Sequence, residues 1–198
     1  MNRLFSTLFI LAFAAAMTIT SAVAQQDKDS NGTAMSSKHS AGTTVSDKTF
    51  VRKAAEGGLA EVELGQLATQ KASNEEVKKF GQRMVDDHSK ANDQLKQVAA
   101  QEHIDLPTEP SAKDKATKAR LEKLSGEQFD HAYMRDMLKD HRTDISEFAH
   151  EAKMGKDPSV KSFAESTLPT LREHLKLAEK IAPNQQKTSA KNEHPSGQ

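Results

Sequence analysis

Apolar and small residues recur at alternating spacings of four and three through residues 46–182, the period of helices that bury one face. A first stripe is Phe50, Ala54, Gly57, Glu61, Leu64, Ala68, within a helix expected from about Asp47 to Lys71 with Ser46 as its N-cap. A second is Val77, Gly81, Met84, His88, Ala91, Leu95, Val98, in a helix opened by Ser73-Asn74-Glu75-Glu76, where Ser73 and Glu76 spell a capping box, and closed near Glu102. After the linker LPTEPSAK comes a shorter stretch, Ala112 to Leu124. Ser125-Gly126-Glu127-Gln128 offers another capping box for a third long helix, to about Met154, with the stripe Met134, Leu138, His141, Ile145, Phe148, Ala152. Asp157 as N-cap and Pro158 at the first helical position start the fourth, striped by Val160, Ala164, Thr167, Leu171, His174, Ala178 and Ile181. Pro169 falls inside it and predicts a kink or a lost hydrogen bond near Glu165.

No segment alternates with the period of a strand. The expected fold is therefore all-α: an antiparallel four-helix bundle with a short extra helix between the second and third long helices. Gly57-Gly58 costs about 1 kcal/mol per glycine inside a helix, and a close helix crossing is the expected return.

Each long helix interrupts its apolar stripe with one ionisable group: Glu61, His88, His141 and His174. Glu61 lies about eleven residues before the first turn and His88 about fifteen after it; His141 is about thirteen before the last turn and His174 about sixteen after it. At ~1.5 Å per residue the members of each pair differ in depth by a turn or less, so all four can meet near mid-bundle. An unpaired buried charge costs several kcal/mol, so the four must be mutually bonded, neutral or bound to a metal.

Three imidazoles and a carboxylate suit a first-row transition metal such as zinc, copper or iron. Met84 and Met137 would soften such a site toward copper, although methionine on a stripe is ordinarily core filler. In the competing reading the histidines satisfy buried hydrogen-bonding groups, Glu61 pairs with one of them, and the metal-free bundle has a structural, stress-related or partner-binding role. The carboxylate-bridged di-iron signature is missing, since Val85, Leu138 and Leu171 stand three residues before the stripe histidines. Glu147 and His150 do spell E-x-x-H, but Phe148 holds the stripe and turns both aside. Asp87, Asp140 and Glu173 each precede a stripe histidine; neighbours on a helix diverge by about 100°, so these acids can reach a ring only across helices. Tyr133, the single tyrosine, is placed to hydrogen-bond in the core near Asp130. His39, His103, His131, His150 and His194 lie in polar contexts or off the stripes and read as solvated.

The ends differ from the middle. Arg3, an apolar run from about Leu4 to Met17 and Ala22-Val23-Ala24 describe a secretory signal peptide (1–24), cut after Ala24, which predicts a periplasmic or secreted protein. Residues 25–45 and 183–198 are polar, small and without period, and read as a disordered linker and tail around a bundle domain at 46–182. No second apolar run suggests membrane insertion of the mature domain. Lysine plus arginine equals aspartate plus glutamate at 28 each, which removes the global field that nucleic-acid binding would use. With no cysteine, no G-x-S-x-G and no phosphate loop, no nucleophilic chemistry is spelled, and the residues point away from an enzyme.

The stretches FVRKAAEGGLAEVELGQLA, VKKFGQRMVDDHSKAN, LSGEQFDHAYMRDMLKDHRTDISEF and VKSFAESTLPTLREHLKLAEKIA together resemble the bacterial domain-of-unknown-function family 4142, over about Lys48 to Ala182. The resemblance implies a ferritin-like four-helix bundle in the cell envelope. Its motifs fall on Glu61, Asp87, His88, Phe129, Asp130, Tyr133, His141, Leu168, Pro169 and His174, and leave out His131 and His150. No activity comes with the family, because a fold does not by itself carry chemistry.

Overall fold

A computed structural model describes residues 43–192, with side chains through residue 182. The expected signal peptide and most of the expected linker fall outside the described residues, as do His39 and His194. The described chain forms α1 (Val45–Lys71), α2 (Glu75–Gln101), α3 (Ala112–Glu122), α4 (Gly126–Met154) and α5 (Pro158–Asn192). It is all-α, as the periodicity predicts, and α5 extends past Pro183, beyond the end expected near Ile181.

The caps are local chemistry, and three differ from those expected. Thr44, not Ser46, caps α1: its hydroxyl accepts from Asp47 N, and Asp47 Oδ2 accepts from Thr44 N. Asn74 caps α2, accepting from Glu76 N and Val77 N, because the Ser73 hydroxyl is turned away to donate to Asp130 Oδ2 at 2.5 Å. Ser125 makes no side-chain cap bond to α4, whose first residue, Gly126, takes a φ of +58° that a side chain would strain. Asp157 caps α5 as expected, through Ser159 N and Val160 N. His103 ends α2 with a φ of 52°, so that Ile104 N reaches back to Ala99 O at 2.8 Å and Ile104 folds inward.

The helix α1 packs along α2, and α4 along α5; contacts of α2 with α5 and of α1 with α4 close the ring, and α3 lies against α1 and α4. Phe50, early in α1, meets Phe148, late in α4, edge to face at 4.9 Å between ring centres. At the other end Asp130, early in α4, accepts from Ser73 N and Asn74 N in the α1–α2 turn. Adjacent helices are thus antiparallel, while α2 and α4 sit diagonally and run the same way. The chain must return the full length of the bundle between them, about 40 Å, and the stretch bearing α3 is that single crossover, the connection of ferritin-like bundles.

Two glycine positions set the spacing of α1 and α2. A Cβ on Gly65 would lie 2.7 Å from Gly81 O, and one on Gly81 would lie 2.7 Å from the Ala68 Cβ. The close crossing is therefore at Gly65 and Gly81, not at Gly57-Gly58: Gly58 makes room for the Asn92 side chain, and a Cβ on Gly57 would meet nothing within 4 Å. The Gly81→Ala change is expected to cost ~1–3 kcal/mol by overpacking. Gly57→Ala, with free space around it, is expected to gain about 0.5–1 kcal/mol from helix propensity. Denaturant melts of the two variants beside the parent would show midpoints moving in opposite directions.

The fourth stripe is buried at all seven positions, and Pro169 faces solvent, where α5 passes through it without a break. The apolar core falls into two clusters. One includes Leu64, Phe80, Met84, Phe129, Tyr133, Met137 and Ile181; the other includes Phe50, Val51, Leu95, Phe148, Phe163, Val160 and Leu171. Glu61, His88, His141 and His174 all come from the middle of their helices, between residues of the two clusters, and all four are buried.

Candidate metal centre

The four stripe residues meet as their depths predict. The rings of His88, His141 and His174 form a triangle with centre-to-centre distances of 5.9, 5.2 and 5.4 Å, and a ring nitrogen from each lies within 4.8 Å of the others. Glu61 borders it: Oε2 is 2.8 Å from His88 Nδ1 and Oε1 is 3.6 Å from His141 Nδ1.

Hydrogen-bond partners determine where the ring protons sit. His141 Nδ1 lies 3.0 Å from the Met137 carbonyl oxygen, one turn earlier on α4, and a carbonyl can only accept. Nδ1 therefore carries the proton, and Nε2 of the neutral ring carries the lone pair. His174 Nε2 lies 2.9 Å from Asp87 Oδ2, across from α5 to α2. Burial raises the Asp87 carboxyl, but His174 and Arg83 together outweigh it and hold the group below its ordinary range, so it accepts as a carboxylate. Arg83 in turn bridges Asp87 at 3.2 Å and Glu173 at 2.6 Å. The lone pair of His174 is left on Nδ1, which faces His141 Nε2 at 3.3 Å. His88 Nδ1 donates to Glu61, which leaves Nε2, buried and without a hydrogen-bond partner among the described residues.

His141 and His174 thus face each other with acceptor nitrogens and no donor between them, and His88 adds a third buried acceptor nitrogen to the cluster. Two lone pairs at 3.3 Å repel unless a proton or a cation lies between them. A proton is disfavoured: burial pushes His174 down to about 4, more than the Asp87 bond restores, and burial likewise lowers His141 against the pull of Glu61. Burial alone would raise Glu61, but His88 first, then His141, draw it below the ordinary carboxylate range. Neutral imidazoles held by a carboxylate or a carbonyl on the opposite nitrogen are the donor set that zinc, copper and iron accept, with their tautomers already fixed.

The other candidates sort clearly. Of the three acids that precede stripe histidines, Asp87 holds a ring across helices, Glu173 pairs with Arg83, and Asp140 lines a cavity on the far side of Glu61. Met84 and Met137 belong to one apolar cluster as filler. His103 and His150 are exposed, and Glu147 with His150 does not reach the centre. His131 is half-buried and takes part in interactions of its own. Tyr133 makes no hydrogen bond through its hydroxyl, contrary to the expected link with Asp130; it stacks on Phe129 at 5.7 Å, and Asp130 is committed to the α1–α2 turn.

Asp144 was missed from the sequence, because it lies one turn past His141 and off the α4 stripe. An oxygen of Asp144, an oxygen of Glu61 and a nitrogen of His141 lie within 4.8 Å of one another. Burial, then Glu61, Asp140 and Glu147, push the Asp144 carboxyl up to about 9.

A family model described as a domain of unknown function, DUF4142, matches residues 32–181. The chain belongs to the DUF4142 family. The matched span takes in all four long helices through Ile181 and every member of the buried cluster, so the centre is part of the DUF4142 domain and not an addition to it. No curated protein matches the chain. Two solved structures are similar in fold. A DUF305 fragment from Deinococcus radiodurans has a TM-score of 0.64 at 16% identity, over 72% of this chain and 99% of that one. A DUF305 protein from Streptomyces coelicolor has a TM-score of 0.60 at 14% identity, over 71% and 93%. At such identities the likeness extends to the bundle alone. Among the described residues of this DUF4142 domain, no helix is long and apolar enough to cross a membrane.

Proposed function

We propose that this DUF4142 protein is an exported, non-catalytic protein of the cell envelope that holds a transition metal between His88, His141 and His174. Glu61 fixes His88 from outside the triangle and Asp87 fixes His174. The observation that supports this is a buried cluster of three imidazoles, a nitrogen of each within 4.8 Å of the others and each ring held by a carbonyl or carboxylate at one nitrogen, with the free nitrogens of His141 and His174 facing each other at 3.3 Å. A histidine serving only as a buried hydrogen-bond donor would need one partner; these three each have one and still keep a second buried nitrogen without a donor. Export is supported by the amino-terminal pattern ending at Ala22-Val23-Ala24.

The metal reading is tested on untagged protein purified from the periplasm, by elemental analysis and by titration with Co²⁺, whose visible absorption is intense in a tetrahedral nitrogen-rich site. Near-stoichiometric metal and a Co²⁺ spectrum are expected in the parent, with both lost in His88→Ala and His174→Ala. Absence of zinc, copper and iron in the purified protein together with failed reconstitution would refute it, as would undiminished metal in both variants.

A further inference from the structure

Glu61 presents its two oxygens to different surroundings. Oε2 faces His88, whereas Oε1 is buried and accepts no hydrogen bond. The residue is only 7% exposed, so Oε1 cannot simply be satisfied by bulk water. It borders a cavity of about 350 Å³ between α1, α3 and α4, lined also by Asp114, Asp140, Asp144, Glu147 and Lys113. Acidic residues lining a cavity are common and mean little alone. The distinguishing fact is a buried carboxylate oxygen without a donor, on a residue whose carboxylate also comes within 4.8 Å of an Asp144 oxygen.

We infer that Glu61 Oε1 and Asp144 form a second cation site, on the opposite side of Glu61 from the imidazole triangle and open to solvent through the carboxylate-lined cavity. Its donors are oxygens. His141 Nδ1, 3.6 Å from Glu61 Oε1, already donates to the Met137 carbonyl and offers no lone pair. Two carboxyl groups with room for retained water, the ion displacing the proton that Asp144 keeps in its absence, suit a hard divalent ion of the Mg²⁺ or Mn²⁺ class, and not the softer ions that imidazoles select. The site does not require the imidazoles to hold a metal, because its ligand oxygens are not those that fix the rings.

Mn²⁺ is the probe, read by the loss of its free-ion paramagnetic resonance signal and by enhanced relaxation of water protons, since an ion with two protein ligands keeps water. The full mature chain is compared with Asp144→Asn, Glu61→Gln and His174→Ala, each checked for folding by its thermal melt. The parent and His174→Ala are expected to bind Mn²⁺ alike. Asp144→Asn is expected to bind about tenfold more weakly or worse, with its Co²⁺ spectrum at the imidazoles unchanged. Should Asp144→Asn not fold, Glu61→Gln carries the test with the same expected loss of Mn²⁺. Mn²⁺ binding unaffected in these two variants overturns the inference. So does binding lost only in His174→Ala, which would put the ion among the imidazoles, and so does no binding by the parent at millimolar Mn²⁺. Failure of the imidazole reading would show separately, as a missing Co²⁺ spectrum in the parent.

Discussion

Replacing His88, His141 and His174 together with leucine while leaving Glu61 in place is expected to destabilise the metal-free protein by roughly 3–5 kcal/mol. Glu61 is 7% exposed, and its one strong partner is His88 Nδ1 at 2.8 Å. Three leucines would put hydrocarbon against the His88 side of the carboxylate and remove each imidazole that draws it below the ordinary carboxylate range. Domains of this kind are stable by only about 5–15 kcal/mol, so a large part of that margin would go. Adding Glu61→Leu to the triple variant is expected to restore the loss and to leave a protein as stable as the parent or ~1–4 kcal/mol more so, because it would fuse the two apolar clusters. Asp87 would lose His174 but keep Arg83, and it reaches solvent. Chemical denaturation of the parent, triple and quadruple variants in the presence of a chelator decides the matter. A triple variant as stable as the quadruple one would mean that Glu61 escapes to water and that the layer is not a closed unit.

That layer explains why the centre was legible in the sequence. A stripe with period 3.6 makes any ionisable residue on it conspicuous, and counting residues from each turn gives its depth to within a helical turn. Glu61, His88, His141 and His174 were found that way. Asp144 was not, because it reaches the cluster from the side of α4 on a shorter lever. Its role depends on a cavity between α1, α3 and α4, and the packing of α3 cannot be read from local pattern. Asp87 was visible as an acid beside a histidine, yet only the structure shows that it holds His174 of α5 and not its neighbour His88.

The fold was legible for a similar reason, with misses where a residue distant in sequence decides a local contact. Ser73-Asn74-Glu75-Glu76 spells a capping box, but Asp130 is distant in sequence and claims the serine hydroxyl, so the cap passes to Asn74. Gly57-Gly58 looked like a crossing because two glycines are adjacent. The crossing needs one glycine on each helix at the same depth, and only Gly65 with Gly81 satisfies this.

Saturating Zn²⁺ is expected to raise the melting temperature of the parent and to leave His141→Ala unmoved, and the rise should persist down to about pH 5.5. A ligand that binds only the folded state stabilises by about 2.7 kcal/mol at one hundred times its dissociation constant, or ~5–10 °C for a domain of this size. The pH range is the discriminating part. Protons compete with the metal for the same lone pairs, and an ordinary histidine site fails below its unperturbed value of about 6.5. Here burial lowers His141 and takes His174 down to about 4, so in the folded protein the His174 ring remains unprotonated at pH 5.5 and His141 resists the proton more than a free imidazole does. The same depression acts on the metal-free protein with a definite sign. Between about pH 6.5 and 4 the unfolded chain takes up the proton that the folded one refuses, so the His174 contribution is fully present above that window and is lost as the pH falls through it. Melting curves from pH 8 to 4.5, with zinc and with chelator, should therefore both decline below 6.5 while staying apart down to about pH 5.5. Convergence at pH 6.5 would place the zinc on exposed histidines such as His103 or His150, on the surface and not in the bundle interior.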